Sequence, residues 1–202
     1  MAKIQDIDIP YLEFAEAAAP GTPASGIVRI YAKSDGSLYQ KDDAGTETGL
    51  ASSSAFIGCL AIRSTDQGSI ANDTDTIVVF NGTDVFDTSG FHDPATNASR
   101  ITIPSGLDGY YRFSTYIIWD GGSSSGFRRV GFKLNGSNAN GLQASSIDGR
   151  LTDYEMQRVT SDPIALVATD YVEVFVRQNS GSARTLSGSV ISLSFAAEFL
   201  GT

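Results

Sequence analysis

The stretch "GYYRFSTYIIWD", residues 109–120, holds aromatic and β-branched side chains in an order that reads as one long β-strand. Side chains of an extended chain alternate between two faces. Tyr111, Phe113, Ile117 and Trp119 therefore share one face, and Tyr110, Tyr116 and Ile118 share the other. An antiparallel strand with one wet face alternates cleanly between apolar and polar residues. Here both faces carry aromatics. The stretch "GSVISLSFAAEFLG", residues 188–201, behaves similarly: Ile191, Leu193, Phe195, Ala197 and Phe199 fall on one side, Val190, Ala196 and Leu200 on the other. Loops of the same chain can cover such an outer face, but large apolar patches usually mark interfaces. The reading taken is that the outer face packs against other copies of the chain.

Working outward, strand follows strand. Cys59 to Arg63, "DTIVVF" (75–80), "DVFD" (84–87), "SRITIP" (99–104), "FRRVGFKLNG" (127–136), "RLTDYEMQRVT" (150–160) and "DYVEVFVRQ" (170–178) are separated by Asn-Gly and Gly-Ser turns. Hardly any helical period intervenes, so the expected class is an all-β sandwich over residues 56–202. Ahead of it lie two smaller regions. Residues 1–25 form an irregular arm, interrupted by Pro10, Pro20 and Pro23, with a helix-compatible patch over residues 12–19. Residues 26–55 read as a β-hairpin and a Gly/Ala/Ser connector. In the hairpin, Val28, Ile30 and Ala32 alternate with Arg29, Tyr31 and Lys33. Ser34-Asp35-Gly36 reverses the chain, Leu38 to Lys41 returns, and Asp42-Asp43-Ala44-Gly45 ends the strand. A lone hairpin is marginal in water, so this one needs further copies or a partner to hold it.

Composition excludes several functions. The 202 residues carry a net charge of −9, which argues against nucleic-acid binding, since phosphate neutralisation needs clustered Lys and Arg. The single cysteine, Cys59, permits no internal disulfide, and in "FIGCLAIR" it reads as a buried thiol. "MAKIQDIDIPYLEF" contains no signal-peptide apolar core and no stretch reaches membrane-spanning length, so synthesis in the cytoplasm without membrane insertion is expected. His92, in "GFHDPATN", reads as a surface-loop histidine. No Ser/His/Asp order, phosphate-binding glycine loop or zinc-ligand spacing accompanies it. "DGGSSSG" (120–126) is a loop tip, because no helix follows it. No catalytic or cofactor-binding residue is assigned, and the chain is read as non-enzymatic. Asp42-Asp43, Asp73-Asp75 and Asp84-Asp87 offer oxygens of the kind calcium takes, while Asp is also an ordinary turn residue.

The ordered set Pro104, Gly109, Tyr111, Phe113, Asn135, Gly136, Leu166, Asp170, Val172, Val174, Phe195 and Leu200 resembles the complement-globular-head and tumour-necrosis-factor-like jelly rolls. That family has Gly before the Asp of its "Gly-Asp-x-Val" corner, where this chain has Thr169. The resemblance implies a jelly-roll sandwich of the ten-strand type that forms a homotrimer, with Tyr110, Tyr111, Phe113, Tyr116, Phe195 and Phe199 as interface candidates. "VRIYAKSDGSLYQKDDAGTE" (28–47) resembles a short module of bacteriophage structural proteins placed before such heads. It implies a virion-surface protein whose partner is a major capsid protein or a tail component, and which reaches the outside by lysis. With no shaft or heptad repeat in the sequence, a capsid decoration or head fibre is the preferred reading. The alternative is the receptor-binding tip of a tail fibre, with loops 121–126 and 135–141 touching a host surface glycan or protein. Ile4, Ile7, Ile9, Tyr11, Leu12 and Phe14 are the arm's candidate anchors on the particle.

Overall fold

A computed structural model describes residues 13–50, 56–121, 126–139, 142, 144–148 and 154–202. The chain divides into two compact units, Met1–Ala55 and Phe56–Thr202. Of the arm's candidate anchors, Ile4, Ile7, Ile9, Tyr11 and Leu12 lie outside the described residues.

In the first unit, β1 (Arg29–Ala32), β2 (Leu38–Lys41) and β3 (Glu47–Gly49) form an antiparallel meander in that order. Asp35 makes the first reversal: its carboxylate accepts the Ser37 amide at 2.9 Å and the Tyr39 hydroxyl at 2.8 Å. Gly36 supplies the left-handed residue, with φ of 76°. Asp42 builds a second turn in the same way, accepting the Ala44 and Thr46 amides at 3.0 and 2.7 Å. The sequence reading ended the hairpin there, whereas this turn adds a third strand. Lys33 and Lys41 converge on Glu47, and hydrogen bonding from Lys33 holds its carboxyl at about 2. Tyr31 and Ala32 are buried, and the Tyr31 ring stacks on Tyr39 at 6.1 Å. The described part of the 12–19 patch is not helical. Its backbone bonds to β1 instead: Glu16 bridges Ala32 in parallel, and the Ala17 amide donates to the Ala32 carbonyl at 3.0 Å.

In the second unit, one sheet has the order β5-β15-β9-β16-β4-β7, comprising β4 (Gly58–Arg63), β5 (Gln67–Ile70), β7 (Phe86–Asp87), β9 (Gly109–Trp119), β15 (Arg184–Leu186) and β16 (Leu193–Gly201). Strands β12 (Glu155–Thr160) and β13 (Ile164–Leu166) also pair with β9. The facing sheet runs β11-β10-β14-β6, from β6 (Thr76–Ile77), β10 (Phe127–Leu134), β11 (Ala144–Asp148) and β14 (Tyr171–Gln178), with β8 (Arg100–Thr102) beside β14. All described pairings between strands are antiparallel. The two sheets pack as a jelly-roll sandwich, with the C-terminal strand β16 inserted between β4 and β9. Every second residue of β9 from Tyr111 to Trp119, together with Leu193, Phe195 and Ala197 of β16, points into the core. Val130, Phe132, Val172, Val174 and Val176 meet them from the other sheet.

The sequence does not mark the short strands β5, β11, β13 and β15, because three to five residues leave little alternation to detect. Phe175 is buried on the outer side of its sheet, where Arg129 and Lys133 lie over its ring at 5.7 and 5.3 Å. The Thr169 corner is made without glycine. Thr169 sits at φ of 76° while its amide donates to the Ile103 carbonyl at 2.9 Å and the Asp170 amide to the Val167 carbonyl at 3.1 Å. The left-handed region costs a β-branched residue about 1 kcal/mol or more, and glycine almost nothing. Thr169→Gly is expected to stabilise the head by about 0.5–1 kcal/mol, measured as a raised urea midpoint at unchanged slope.

Candidate functional site

Tyr111, Phe113 and Phe195 are fully buried in the sandwich. They cannot face another copy, and their assignment to an interface is corrected. The Phe195 ring lies 5.4 Å from Phe80, 6.1 Å from Phe113 and 6.0 Å from Phe132, which locks the two sheets together. Phe199 is half-buried against Tyr111, at 5.1 Å. Tyr110 and Tyr116 do reach the surface, half exposed and partly exposed respectively. Ile118, on their side of the strand, is enclosed by its own chain.

The surface that remains is the outer face of β4, β16, β9 and β12. Register fixes its rows. Thr160, Ser114, Ala196 and Leu60 lie side by side across the four strands, and Arg158, Tyr116, Ser194 and Ile62 form the next row. Arg112 and Glu198 sit opposite one another in the row beyond Ser114, 3.8 Å apart. Met156, half exposed, places its sulfur 2.9 Å from the Tyr116 hydroxyl. Phe56 and Phe86, both exposed, pack edge to face at 5.5 Å at the β4 and β7 side. Val190, Ile191 and Leu200 are further exposed apolar side chains of the head. The face is thus mixed: Leu60, Ile62, Tyr116, Met156 and Ala196 stand among Ser114, Ser194, Thr160, Arg112, Arg158 and Glu198. Tyr110 and Tyr116 point to it from sequence; β12 and its Met156 give no signal until β12 is placed beside β9.

The polar candidates resolve differently. His92 is buried rather than at the surface, because Asp87 folds its loop inward. Asp87 accepts the Ser89, Gly90 and Phe91 amides on one oxygen and the His92 amide on the other, at 2.8–3.1 Å. The His92 ring then meets Asp84 through Nδ1 at 2.8 Å. Desolvation raises the Asp84 carboxyl, against the pull of His92. Asp42 holds its turn, Asp43 accepts the Gly26 amide at 2.7 Å, Asp73 pairs with Arg177 at 2.8 Å, and Asp75 pairs with Lys133 at 2.9 Å. These carboxylates are engaged by cations and amides, and among the described residues no group of three metal-ligating side chains occurs. Cys59 is fully buried and burial pushes its thiol up, so it offers no thiolate. Of the two loops read as receptor contacts, residues 122–125, 140 and 141 lie outside the described residues. Asn135 is tied to its neighbour by two hydrogen bonds, Nδ2 to Asp170 at 2.8 Å and the Tyr171 amide to Oδ1 at 2.9 Å.

No protein-family profile and no curated protein matches the chain. Solved structures do match the fold. Murine APRIL at pH 8.5 is 10% identical with a TM-score of 0.51, over 72% of this chain and 100% of that one. The same protein at pH 5.0 gives 10% identity and a TM-score of 0.50, over 71% and 99%. PRD1 vertex protein P5 is 17% identical with a TM-score of 0.49, over 71% and 96%. At such identities the likeness concerns fold alone: the head is a jelly-roll sandwich.

Two predictions follow from the burial. Phe195→Asp or Tyr111→Asp is expected to unfold the head itself, since an unpaired charge in the core costs several kcal/mol; circular dichroism of the purified variant would show lost sheet signal. Desolvation pushes the Asp87 carboxyl up, but the amides of His92, Phe91, Ser89 and Gly90 outweigh it and hold the group below its ordinary value. A depressed carboxylate contributes stability that is present above its unfolded pKa, near 4, and lost as pH falls through the folded value. Asp87→Asn is therefore expected to be less stable at pH 7 and to lose less stability below about pH 4, as read from denaturation midpoints across that range.

Proposed function

We propose that this chain is a non-enzymatic structural protein of a bacteriophage particle, a homotrimer through its head, attached by its N-terminal unit as a capsid decoration or head fibre. The observation that carries the assembly reading is the outer face of β4, β16, β9 and β12. It exposes Tyr110, Met156, Phe56, Phe86 and Leu200, and exposed apolar side chains gathered on one side of a domain are commonly covered by other copies. The jelly-roll fold supports the trimer through the family resemblance. The virion reading is supported by the likeness of residues 28–47 to a phage module.

Attachment through the first unit is supported by what that unit leaves exposed. Phe14 on the arm, Val28 just before β1 and Ile30 on β1 are large apolar side chains at the surface. The edge of β1 meets the arm at Ala32, and an extended partner segment can add to such an edge. The receptor-binding tip of a tail fibre is the second reading, supported by the head's position after the module. The non-enzymatic reading is supported by what the described acidic side chains do: Asp42 and Asp87 hold turns, and Asp73 and Asp75 pair with cations.

Sedimentation of the full chain at micromolar concentration is expected to show a trimer, and a stable monomer would overturn the assembly reading. Ala196→Glu or Tyr116→Asp is expected to yield folded monomers, because the altered residue lies on the outer face and not in the core. A chain beginning at Ala55 is expected to fold and trimerise but not to bind particles lacking the native protein, whereas the full chain binds them. Equal decoration by both would make the head the attachment surface.

A further inference from the structure

The outer face of the larger sheet is not flat. Ser114, Thr160 and Ala196 stand side by side on three strands, and their small side chains leave a depression of about 420 Å³. Its two ends differ in chemistry. At the β4 and β7 end stand the exposed rings of Phe56 and Phe86. Toward the other stand Arg112 of β9 and Arg158 of β12, with Glu198 of β16 between the two ends. Glu198 lies 3.8 Å from Arg112, and no acidic partner of Arg158 is found among the described residues. The depression therefore carries one positive charge in excess, in a chain whose net charge is −9.

We propose that this depression binds a small amphipathic organic anion, a carboxylate attached to an apolar body. The carboxylate lies against Arg158, with Arg112 beside it, since a guanidinium presents a planar fork that matches a carboxylate. The apolar body lies over Ser114 and Ala196 against the paired Phe56 and Phe86 rings, where pockets of this size commonly bury small ligands. A neutral apolar ligand leaves Arg158 unpaired, and a small inorganic anion leaves the rings wet. The complement of both ends is one molecule with both characters. The depression is complete on one chain, so the site does not depend on assembly. If copies cover this face, the ligand fills what is otherwise a void between them, a clause that rests on the proposed trimer.

The test uses the full chain and phenylbutyrate as probe, with phenylbutanol supplying the apolar body alone and butyrate the charge with little of it. Isothermal titration is expected to show saturable binding of phenylbutyrate, at least tenfold tighter than either control. Arg158→Gln is expected to weaken it at least tenfold. Ser114→Leu, which fills the floor, is expected to abolish it, with Thr160→Leu as the second variant if Ser114→Leu fails to fold. No saturable binding, or equal affinity in the Arg158→Gln and floor-filled variants, overturns the proposal. Sedimentation of the same samples separates the two readings. A monomer that binds the probe refutes the trimer and keeps the site. A wild-type trimer that binds nothing, but dissociates when Ser114 becomes Leu, shows that a neighbouring copy fills the depression and removes the ligand.

Discussion

The sandwich depends on one cluster of rings. Phe195 of β16 meets Phe80, Phe113 and Phe132, and so ties the C-terminal strand to the centre of its own sheet and to the sheet opposite. Tyr111 continues the cluster toward Phe91 and Phe199, and its hydroxyl donates to the Leu107 carbonyl at 2.5 Å. Each ring brings a large area out of water, and tilted pairs add to the burial. Because aromatic residues fill the inner side of β9 and β16, what lies on the outer side of the same strands is free to vary. The outer face and its depression are built on those outward positions.

The alternation in residues 109–120 was enough to reveal a long strand and its inner face, since period two is strict in extended backbone. It does not tell a side that faces a second sheet from a side that faces outward. Both sides looked apolar, and Tyr111, Phe113 and Phe195 were placed at an interface although the core claims them. Local composition cannot distinguish a second sheet of the same chain from a second chain. His92 was misread for a related reason. Its burial is imposed by Asp87, whose bonds to four successive amides turn the loop inward, and an aspartate followed by Thr-Ser-Gly reads equally well as an open turn.

A buried polar group at one end of the core was also invisible in the sequence. Arg128 and Glu155 are almost wholly enclosed, 3.5 Å apart, and Arg128 lies over the Trp119 ring at 5.7 Å. Gln157 links them to the tryptophan, accepting the indole N–H at 2.9 Å and donating to the Arg128 carbonyl at 3.3 Å. In "DYEMQRV" the strand pattern marks Glu155 and Gln157 as surface residues. They are inward because Val159 is inward and the period is two. Polar groups placed there restrict how β12 can slide along β9, since a shifted register strands a charge in the core.

The position of β16 has a consequence for the way the head is made. Its pairing partners β4 and β9 lie far back in the chain and are joined in the sheet through β16 between them. The larger sheet therefore cannot close on a ribosome until residues 193–201 have emerged. Up to that point β4 and β9 present unpaired edges and wet rings, while the first unit, whose contacts are local, is free to fold. A topology with contacts this distant folds slowly, and its nascent form is exposed to aggregation at the stage when the final strand is missing.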